Sequence, residues 1–228
     1  MSEHLHSDGQ ADWDISQEVL NTLRSSLKPG SVTLETGAGR STVTFAELGC
    51  IHHCVTPSHD EAARIKAHCQ AAGISTENLH FHFGFSQDVL PRLEIPPLDL
   101  ALIDGGHGFP IPAIDWQYIA PRLRVGGLML IDDVDLWTGA MIVDFLKGES
   151  TWKHEATLRG RTAAFRLVSV LEVHEWTKQP TVVAKSRFTQ LRRKAINALG
   201  LIASGKIGEI GKKLENERRL AQSAKRDY

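Results

Sequence analysis

LIDGGH at residues 102–107 and GGLMLIDD at residues 126–133 are two short apolar runs that each lead into aspartate. Runs of this length and composition are typical of strands that are buried on both faces of a parallel sheet. In an open α/β sheet, ligands bind in the crevice beyond the carboxyl ends of the strands. The pattern therefore predicts that Asp104, Asp132 and Asp133 lie together in one cleft.

The three aspartates need a positive charge between them, because carboxylates that share a cleft repel each other. Carboxylate oxygens are the ligands that a hard divalent cation such as Mg²⁺ prefers. His107 follows Asp104 by one short turn, where its imidazole is placed to act as a base. A single aspartate after a strand can be explained as the N-cap of the next helix. Capping is a poor explanation for Asp104 and His107 together with the pair Asp132 and Asp133.

The composition is that of one globular domain with an appended segment. Of the 228 residues, 42% are hydrophobic and 23% are charged, which allows a sizeable buried core. No apolar run has the length of a membrane span, and residues 1–14 lack the regions of a signal peptide, so we expect a cytoplasmic protein with a disordered N-terminus. Cys50, Cys54 and Cys69 lack a CxxC spacing and are expected to be reduced packing residues.

Charge is distributed unevenly along the chain. From Thr177 onward there are 13 Lys and Arg against 4 Asp and Glu, whereas the remainder has 13 against 23. Apolar residues recur there at helical spacing, which predicts a basic helical tail at residues 173–228 with a partly disordered end. Packing against the acidic domain, or against a sister subunit in a homo-oligomer, is favoured over peripheral membrane association. Aromatic residues are scarce after Phe188, so no nucleic acid is expected.

Strand and helix patterns alternate along residues 15–172, the predicted main domain. Two strand-like runs at its end are joined by Arg159-Gly160-Arg161, a connection so short that it requires an antiparallel hairpin. We therefore expect a doubly wound α/β fold, with a mostly parallel seven-stranded sheet, helices on both faces and a C-terminal antiparallel hairpin. The predicted strands are 31–35, 50–56, 79–83, 98–104, 128–132, 152–158 and 162–168, and the predicted helices include 15–27, 60–72, 86–93, 114–123 and 139–146.

This domain resembles a known family. Residues 35–42, ETGAGRST, are similar to the first motif, E-x-G-x-G-x-S, of the class I S-adenosylmethionine-dependent methyltransferases. Residues 84–91, GFSQDVLP, resemble the segment that holds adenine in catechol O-methyltransferase. The resemblance covers about residues 31–168 and is greatest to the divalent-metal O-methyltransferases of the catechol and macrolide-sugar types, whose fold also ends in a hairpin.

The resemblance implies sites for S-adenosylmethionine and for Mg²⁺ or another divalent cation. Glu35 is implied to accept from the cofactor's ammonium group, while the glycines let the backbone approach its methionine part. His107 takes the position of the general base, which is lysine in the catechol enzyme and histidine in the macrolide-sugar enzymes. The implied cofactor contacts are Glu35, Gly37, Gly39, Ser41, Thr56, Ser86, Gln87 and Asp104, and the implied metal ligands are Asp104, Asp132 and Asp133.

Two positions depart from the family pattern. The third metal ligand of the family is usually asparagine, where this chain has Asp133. At the end of the second strand the family has an acid that binds the ribose hydroxyls, where this chain has Thr56. Asp60 or Glu61 could compensate from the following helix, although both also favour its N-terminus.

Trp137 is the candidate substrate residue. It follows Asp133 by four residues, so we expect it at the rim of the cleft, where it either walls the acceptor site or closes the core.

The resulting hypothesis is methyl transfer to a hydroxyl of a small molecule or glycan. Mg²⁺ would lower the pKa of that hydroxyl and His107 would take its proton. A metal-independent methyltransferase of the same fold and a non-catalytic cofactor-binding or scaffolding protein are the alternatives. A nicotinamide-binding protein is disfavoured, because Thr42 replaces the third glycine of the dinucleotide fingerprint. Sugar, polyketide and phenol acceptors all fit, since a fold does not settle a substrate.

Overall fold

The computed structural model describes residues 15–172, 174–206 and 208. The chain divides into two units, Met1–Val173 and His174–Tyr228. The predicted disorder of residues 1–14 and of the end of the tail lies outside the described residues.

Helices and strands alternate along the first unit. In chain order they are α1 (Gln17–Ser26), β1 (Val32–Thr36), α2 (Arg40–Glu47), β2 (Ile51–Thr56), α3 (His59–Ala71), β3 (Leu79–Phe83), α4 (Ser86–Val89), β4 (Leu98–Ile103), α5 (Ile111–Ile119), β5 (Leu123–Ile131), α6 (Trp137–Lys147), β6 (Trp152–Leu158) and β7 (Thr162–Leu167). Short 3₁₀ helices follow α4 and α5, at Leu90–Arg92 and Ala120–Arg122.

The strands form one mixed sheet in the order β3-β2-β1-β4-β5-β7-β6. Neighbouring strands are parallel except at β7, which is antiparallel to both β5 and β6. This confirms the predicted doubly wound, mostly parallel seven-stranded sheet with its C-terminal antiparallel hairpin. The chain moves outward from β1 to β3 and then returns to β4, so the switch point, where ligands bind in such sheets, lies between β1 and β4.

Several element boundaries differ from those predicted. β5 begins at Leu123, where the sequence predicts the end of a helix, because Leu123 pairs with Leu98 at the start of β4. α5 begins at Ile111 rather than at residue 114, since Pro112 is tolerated in the first turn of a helix, where no N–H donor is needed. α6 begins at Trp137 rather than at residue 139.

The central strand β4 is buried on both faces. Ala101 and Ile103 belong to one core cluster, which α5 and α6 cover. Leu100 and Leu102 belong to a second cluster on the opposite face, which α1 and α2 cover. Successive side chains of a strand point to opposite faces, so an uninterrupted apolar run fills both layers. This double burial fixes the strand ends, and therefore the residues that follow them.

The second unit contains a 3₁₀ helix, Trp176–Lys178, and α7, Pro180–Ala203. α7 carries five basic residues and no acidic one, and none of its side chains is buried. Its large apolar residues Phe188, Leu191, Ile196, Leu199 and Ile202 are exposed. No helix in the described part of the chain is long and apolar enough to cross a membrane. The association of this basic segment with a subunit or surface stays a prediction.

Candidate active site

A cavity of about 500 Å³ lies at the switch point, beyond the carboxyl ends of β1, β2 and β4. Its volume is within the range of small-molecule and cofactor sites. The lining residues that bear on its chemistry are Gly37, Thr56, Glu61, Ser86, Gln87 and Asp104. Glu35, Gly39 and Ser41, which were also predicted to contact the cofactor, are not among the lining residues.

Gly37 allows the end of β1 to pack directly against the end of β4. Its φ is 88°, which favours glycine, and a Cβ at this position would overlap the backbone carbonyl oxygen of Asp104. The N–H of Gly37 donates to the carbonyl oxygen of Val55 at 3.0 Å, so the loop is also tied to β2. Any other residue at position 37 would displace the loop that borders the cavity.

Glu35 has its partners inside the domain. Its side chain is 1% exposed and accepts hydrogen bonds from the hydroxyls of Ser41, at 2.6 Å, and Thr42. His52 Nε2 lies 3.1 Å from the same carboxylate. Because side chains alternate along a strand, Glu35 lies on the face of β1 that α2 covers, and not beyond the strand end. Its position supports a role in fixing the first turn of α2 rather than the predicted contact with the cofactor's ammonium.

Glu35, His52 and Cys54 have possible metal-ligand atoms that all lie within 4.8 Å of one another. These atoms already have protein partners. His52 Nδ1 lies 2.8 Å from the hydroxyl of Thr33, and Cys54 Sγ donates to the carbonyl oxygen of Gly37 at 3.1 Å. Burial raises the pKa of the Cys54 thiol, which disfavours the thiolate that binds metals. The group is therefore a hydrogen-bonded brace beneath the glycine loop.

Thr56 and Glu61 lie side by side at the end of β2. Both line the cavity, and the Thr56 hydroxyl donates to a carboxylate oxygen of Glu61 at 3.4 Å. Glu61 is in the first turn of α3, where its N–H donates to the hydroxyl of Ser58, the N-cap, at 3.2 Å. Asp60 is exposed and is not among the lining residues. Glu61 therefore brings a carboxylate to the place where Thr56 replaces the family's acid.

Asp115 is a candidate residue that the sequence interpretation missed. It is fully buried on α5, and burial raises its pKa while the nearby hydroxyls of Ser86 and Thr36 act in the opposite direction. A Cβ at Gly105 would lie 3.4 Å from Asp115 Oδ2, so the carboxylate lies directly behind the cavity wall. The signal in the sequence is a lone acid within the apolar stretch IPAIDWQYI.

Asp104 and Asp132 form the acidic part of the site. Burial, followed by repulsion from Asp132, raises the pKa of Asp104 well above its usual value. Burial also raises the pKa of Asp132, although the hydroxyl of Thr162, which donates to it, acts in the opposite direction. The two strand ends therefore hold two carboxylates close enough to disfavour their shared ionisation.

Asp133 has two partners of its own. Its side chain is 5% exposed, and Oδ1 lies 2.5 Å from both Nε and Nη2 of Arg161. Oδ2 lies 3.1 Å from Nε2 of His107. The φ of Asp133 is 51°, a left-handed conformation that aspartate and asparagine adopt more readily than other non-glycine residues. Asp133 thus links His107 to Arg161.

The three aspartates do not fit the predicted Mg²⁺ site as a set. Within residues 15–172, 174–206 and 208, the brace beneath the glycine loop is the group of three whose ligand atoms all lie within 4.8 Å, and Asp104, Asp132 and Asp133 do not form such a group. The guanidinium of Arg161 already supplies the positive charge at Asp133. Asp104 and Asp132 remain as candidate ligands.

Arg161 reaches this site because β7 is antiparallel to β5. Ile131 at the end of β5 pairs with Ala163 near the start of β7, so the turn between β6 and β7 lies beside the residues that follow β5. The N–H of Val134 donates to the carbonyl oxygen of Arg161 at 2.9 Å. The sequence interpretation noted the turn but not its function. A basic residue just before a strand that returns beside an acid-ended strand is the signal that would have found it.

His107 lies on a loop at the rim of the cleft. Its carbonyl oxygen accepts from the Thr138 hydroxyl at 2.8 Å, which ties this loop to the first turn of α6. The rings of Phe109 and Trp137 contact each other with centroids 5.9 Å apart, yet the two residues are 65% and 67% exposed. Exposed aromatic rings at a cleft are typical of a binding surface. Trp137 is largely exposed and therefore does not close the core, and its predicted contact with an acceptor stays a prediction.

One protein-family model matches part of the chain. Residues 34–134 match the model of a family described as a methyltransferase domain. Among curated proteins, no sequence matches the chain.

Solved structures with the same fold include several methyltransferases. The O-methyltransferase TomG from Streptomyces achromogenes, which is involved in tomaymycin synthesis and was solved with S-adenosylmethionine, is 17% identical, covers 70% of this chain and 83% of its own, and has a TM-score of 0.56. An rRNA methylase from Streptococcus thermophilus is 15% identical, with coverages of 67% and 95% and a TM-score of 0.52. A precorrin-6y C5,15-methyltransferase from Geobacter metallireducens is 18% identical, with coverages of 69% and 92% and a TM-score of 0.52. Identities this low show the fold alone, and the three names refer to different acceptors.

Proposed function

We propose that this chain, whose domain match and fold support a class I S-adenosylmethionine-dependent methyltransferase, transfers the methyl group to a hydroxyl oxygen of a small molecule or glycan. The observation that carries the proposal is the cavity at the switch point, with the glycine loop on one side and Ser86 and Gln87 on another. The loop after β4 lines the same cavity through Asp104 and continues to His107.

The residues that line the cavity fit the cofactor. The loop at Gly37 has no side chain to obstruct the methionine part, and Thr56 and Glu61 offer oxygens to the ribose hydroxyls. Ser86 and Gln87 offer polar groups to the adenine edge. When bound, S-adenosylmethionine supplies an electrophilic methyl group on a positively charged sulfur. Asp104 and Glu61 bring two carboxyl groups to the cavity wall.

Glu35, Gly39 and Ser41 support the cofactor site indirectly. The carboxylate of Glu35 holds the hydroxyls of Ser41 and Thr42, and the Gly39 N–H donates to the Thr42 hydroxyl at 2.9 Å. These bonds fix the turn from β1 into α2, which sets the shape of the loop at Gly37.

The acceptor is proposed to bind beside His107, against the exposed rings of Phe109 and Trp137. Aromatic rings pack well against flat aromatic acceptors and against the apolar faces of sugars, so phenols, polyketides and sugars all stay within the proposal. His107 accepts the proton of the hydroxyl as the oxygen attacks the methyl carbon. The exposed rings of Phe109 and Trp137 support a small acceptor that packs one of its faces against them.

The divalent cation of the sequence hypothesis has support from two residues. Asp104 and Asp132 would hold it, and it would lower the pKa of the bound hydroxyl. Asp133 is occupied by Arg161 and His107, so the proposed transfer does not need a cation at that position.

Calorimetry with S-adenosylhomocysteine and with NAD tests the cofactor assignment. We expect micromolar binding of S-adenosylhomocysteine and none of NAD. Binding of NAD without binding of S-adenosylhomocysteine would reject the proposal. Methyl transfer from labelled S-adenosylmethionine is then measured on phenol, polyketide and sugar hydroxyls, where His107→Ala should lower kcat by about 10²- to 10⁴-fold without changing S-adenosylhomocysteine affinity. Transfer to amines and not to hydroxyls would reject the oxygen acceptor.

A further inference from the structure

We propose that Arg161, Asp133 and His107 form a base assembly that works without a divalent cation, in which Arg161 and Asp133 are positioning residues and His107 takes the hydroxyl proton. This inference rests on the proposed transfer to a hydroxyl oxygen and gives that transfer its proton acceptor. It replaces the sequence-based assignment of Asp133 as a metal ligand.

The charge at Asp133 is already balanced. Nε and Nη2 of the Arg161 guanidinium both lie 2.5 Å from Oδ1, so this one carboxylate oxygen accepts from two charged donors, while Oδ2 is left for His107. The Asp133 side chain is 5% exposed and that of Arg161 is 41% exposed, so water reaches the pair from the arginine side. A divalent cation placed at Asp133 would face the guanidinium at close range and be repelled by it. Arg161 thus occupies the electrostatic position that the sequence hypothesis gave to Mg²⁺.

The fold holds the backbone of Arg161 beside the end of β5. The N–H of Val134 donates to the Arg161 carbonyl oxygen, and the hydroxyl of Thr162 donates to Asp132. Both contacts join the turn between β6 and β7 to the residues that follow β5. Arg161 is therefore joined to the strand-end cluster through its backbone as well as through its ion pair, while its side chain is 41% exposed.

The contact with Asp133 sets the orientation of His107. Nε2 lies 3.1 Å from Asp133 Oδ2, and a carboxylate accepts hydrogen bonds, so Nε2 carries the hydrogen and Nδ1 keeps its lone pair. The His107 side chain is 32% exposed, which leaves the ring accessible to an acceptor. Thr138 holds the backbone of the same residue. Residue 107 is thus held at its ring by Asp133 and at its backbone by Thr138, while Nδ1 stays available.

The step balances without another reactant. The hydroxyl proton passes to Nδ1 of His107, the hydroxyl oxygen bonds to the methyl carbon, and the carbon–sulfur bond breaks with its electron pair on sulfur. The products are a methyl ether, S-adenosylhomocysteine and a protonated imidazole. Asp133 stabilises that imidazolium, which then releases its proton to water.

Arg159 provides a matched control for Arg161. It is in the same turn and carries the same charge, but it is exposed and its backbone N–H donates to Glu18 at 3.0 Å. Arg159→Gln therefore removes the same charge from the hairpin without removing the contact with Asp133.

Binding of Mn²⁺ alone tests the inference before any acceptor is known. The full chain is stripped with EDTA, saturated with S-adenosylhomocysteine and titrated with Mn²⁺ under electron paramagnetic resonance. We expect wild type and Arg159→Gln to bind Mn²⁺ with the same weak affinity, which Asp133→Asn leaves unchanged. Arg161→Gln should bind about tenfold more tightly or better, because Asp133 loses its counter-ion. Tight binding by wild type that Asp133→Asn abolishes would overturn the inference, and equal behaviour of the two arginine variants would overturn the role of Arg161.

The tautomer of His107 gives a second readout, from its ¹⁵N chemical shifts. We expect hydrogen on Nε2 in wild type and in Arg161→Lys, and a mixture of tautomers in Asp133→Asn. Hydrogen on Nδ1 in the wild type would overturn the inference. If the chain fails to bind S-adenosylhomocysteine in calorimetry, the proposed function itself is overturned. If the chain binds S-adenosylhomocysteine but its methyl transfer requires Mn²⁺, only the metal-free assembly is overturned.

Discussion

The backbone carbonyl oxygen of Asp104 occupies the space that a Cβ of residue 37 would need, so Gly37 and Asp104 pack backbone against backbone across the switch point. This contact joins the loop after β1, which borders the cofactor cavity, to the loop after β4, which leads to His107. A substitution at Gly37 should therefore displace both the loop after β1 and the loop after β4.

Gly37→Ala should weaken binding of S-adenosylhomocysteine by about tenfold or more, because the added methyl group displaces the Asp104 backbone from the cavity wall. Gly30→Ala is the control, since Gly30 has a similar φ of 81° but nothing within 4 Å of its Cβ position. Each variant should lose about 1–2 kcal/mol of stability from the positive φ alone. Calorimetry on the two folded variants compares them, and equal affinities would contradict the packing argument.

Glu61→Gln should weaken S-adenosylhomocysteine binding by about tenfold, because an amide is a poorer acceptor for two ribose hydroxyls than a carboxylate. Asp60→Asn, one position earlier on the exposed side of α3, should leave the affinity unchanged. Both are measured by calorimetry at one ionic strength. An effect of equal size at both positions would indicate a general loss of charge at the start of α3.

Asp104→Asn should stabilise the fold by about 0.5–2 kcal/mol at pH 7 in EDTA while lowering methyl transfer. Burial and Asp132 raise the pKa of Asp104, so its charged form opposes folding at neutral pH, and the gain should vanish at acid pH. Asp99→Asn should have the opposite effect, since it removes the ion pair with Arg124. Urea unfolding measures both. Destabilisation by Asp104→Asn at neutral pH would contradict the repulsion.

Trp137→Ala should raise the KM for the acceptor while changing the free energy of unfolding by no more than about 0.5 kcal/mol, because its ring is largely exposed. The affinity for S-adenosylhomocysteine should stay unchanged. Trp176→Ala removes an exposed indole from the second unit and should not change the KM. Steady-state kinetics with an acceptor found in the screen makes the comparison, and an unchanged KM for Trp137→Ala would place the acceptor elsewhere.

A cluster of histidines should make the fold sensitive to mild acid. Burial, with smaller contributions from His82, His80 and His52, lowers the pKa of His53 to about 4. Between about pH 4 and pH 6.5 the unfolded chain therefore binds a proton at residue 53 that the folded chain does not. The contribution of His53 to the free energy of unfolding is fully present above about pH 6.5 and is lost as the pH falls towards 4.

His53→Gln isolates this contribution, which amounts to at most about 3 kcal/mol. The stability of wild type relative to the variant should decline between pH 7 and pH 4.5 in urea unfolding experiments. His154→Gln, on β6, should not change the pH dependence. A constant difference between wild type and His53→Gln across this range would contradict the lowered pKa.

Local patterns were sufficient to predict the sheet and the edge at which the carboxyl ends of its parallel strands meet. The apolar runs that end at Asp104 and at Asp132 predict buried parallel strands, and strand polarity alone brings their carboxyl ends to one edge. The turn Arg159-Gly160-Arg161 is too short for anything but a hairpin. The sequence also shows Thr56 at the end of the second strand, where the resembled family has an acid, and it offers Asp60 and Glu61 on the next helix as replacements.

The partners of individual side chains required the folded chain. Whether Glu35 points to the cavity or into the layer beneath α2 depends on how β1 lies against β2, where His52 meets it. The partner of Asp133 depends on the register of β7 against β5, which places Arg161 beside it from across the hairpin. Sequence spacing determines which residues follow a strand, because chain direction and side-chain alternation are local. Register and helix packing determine which charges meet, because they join segments that are far apart in the chain, and here they placed a guanidinium at the carboxylate for which the sequence had suggested a metal ion.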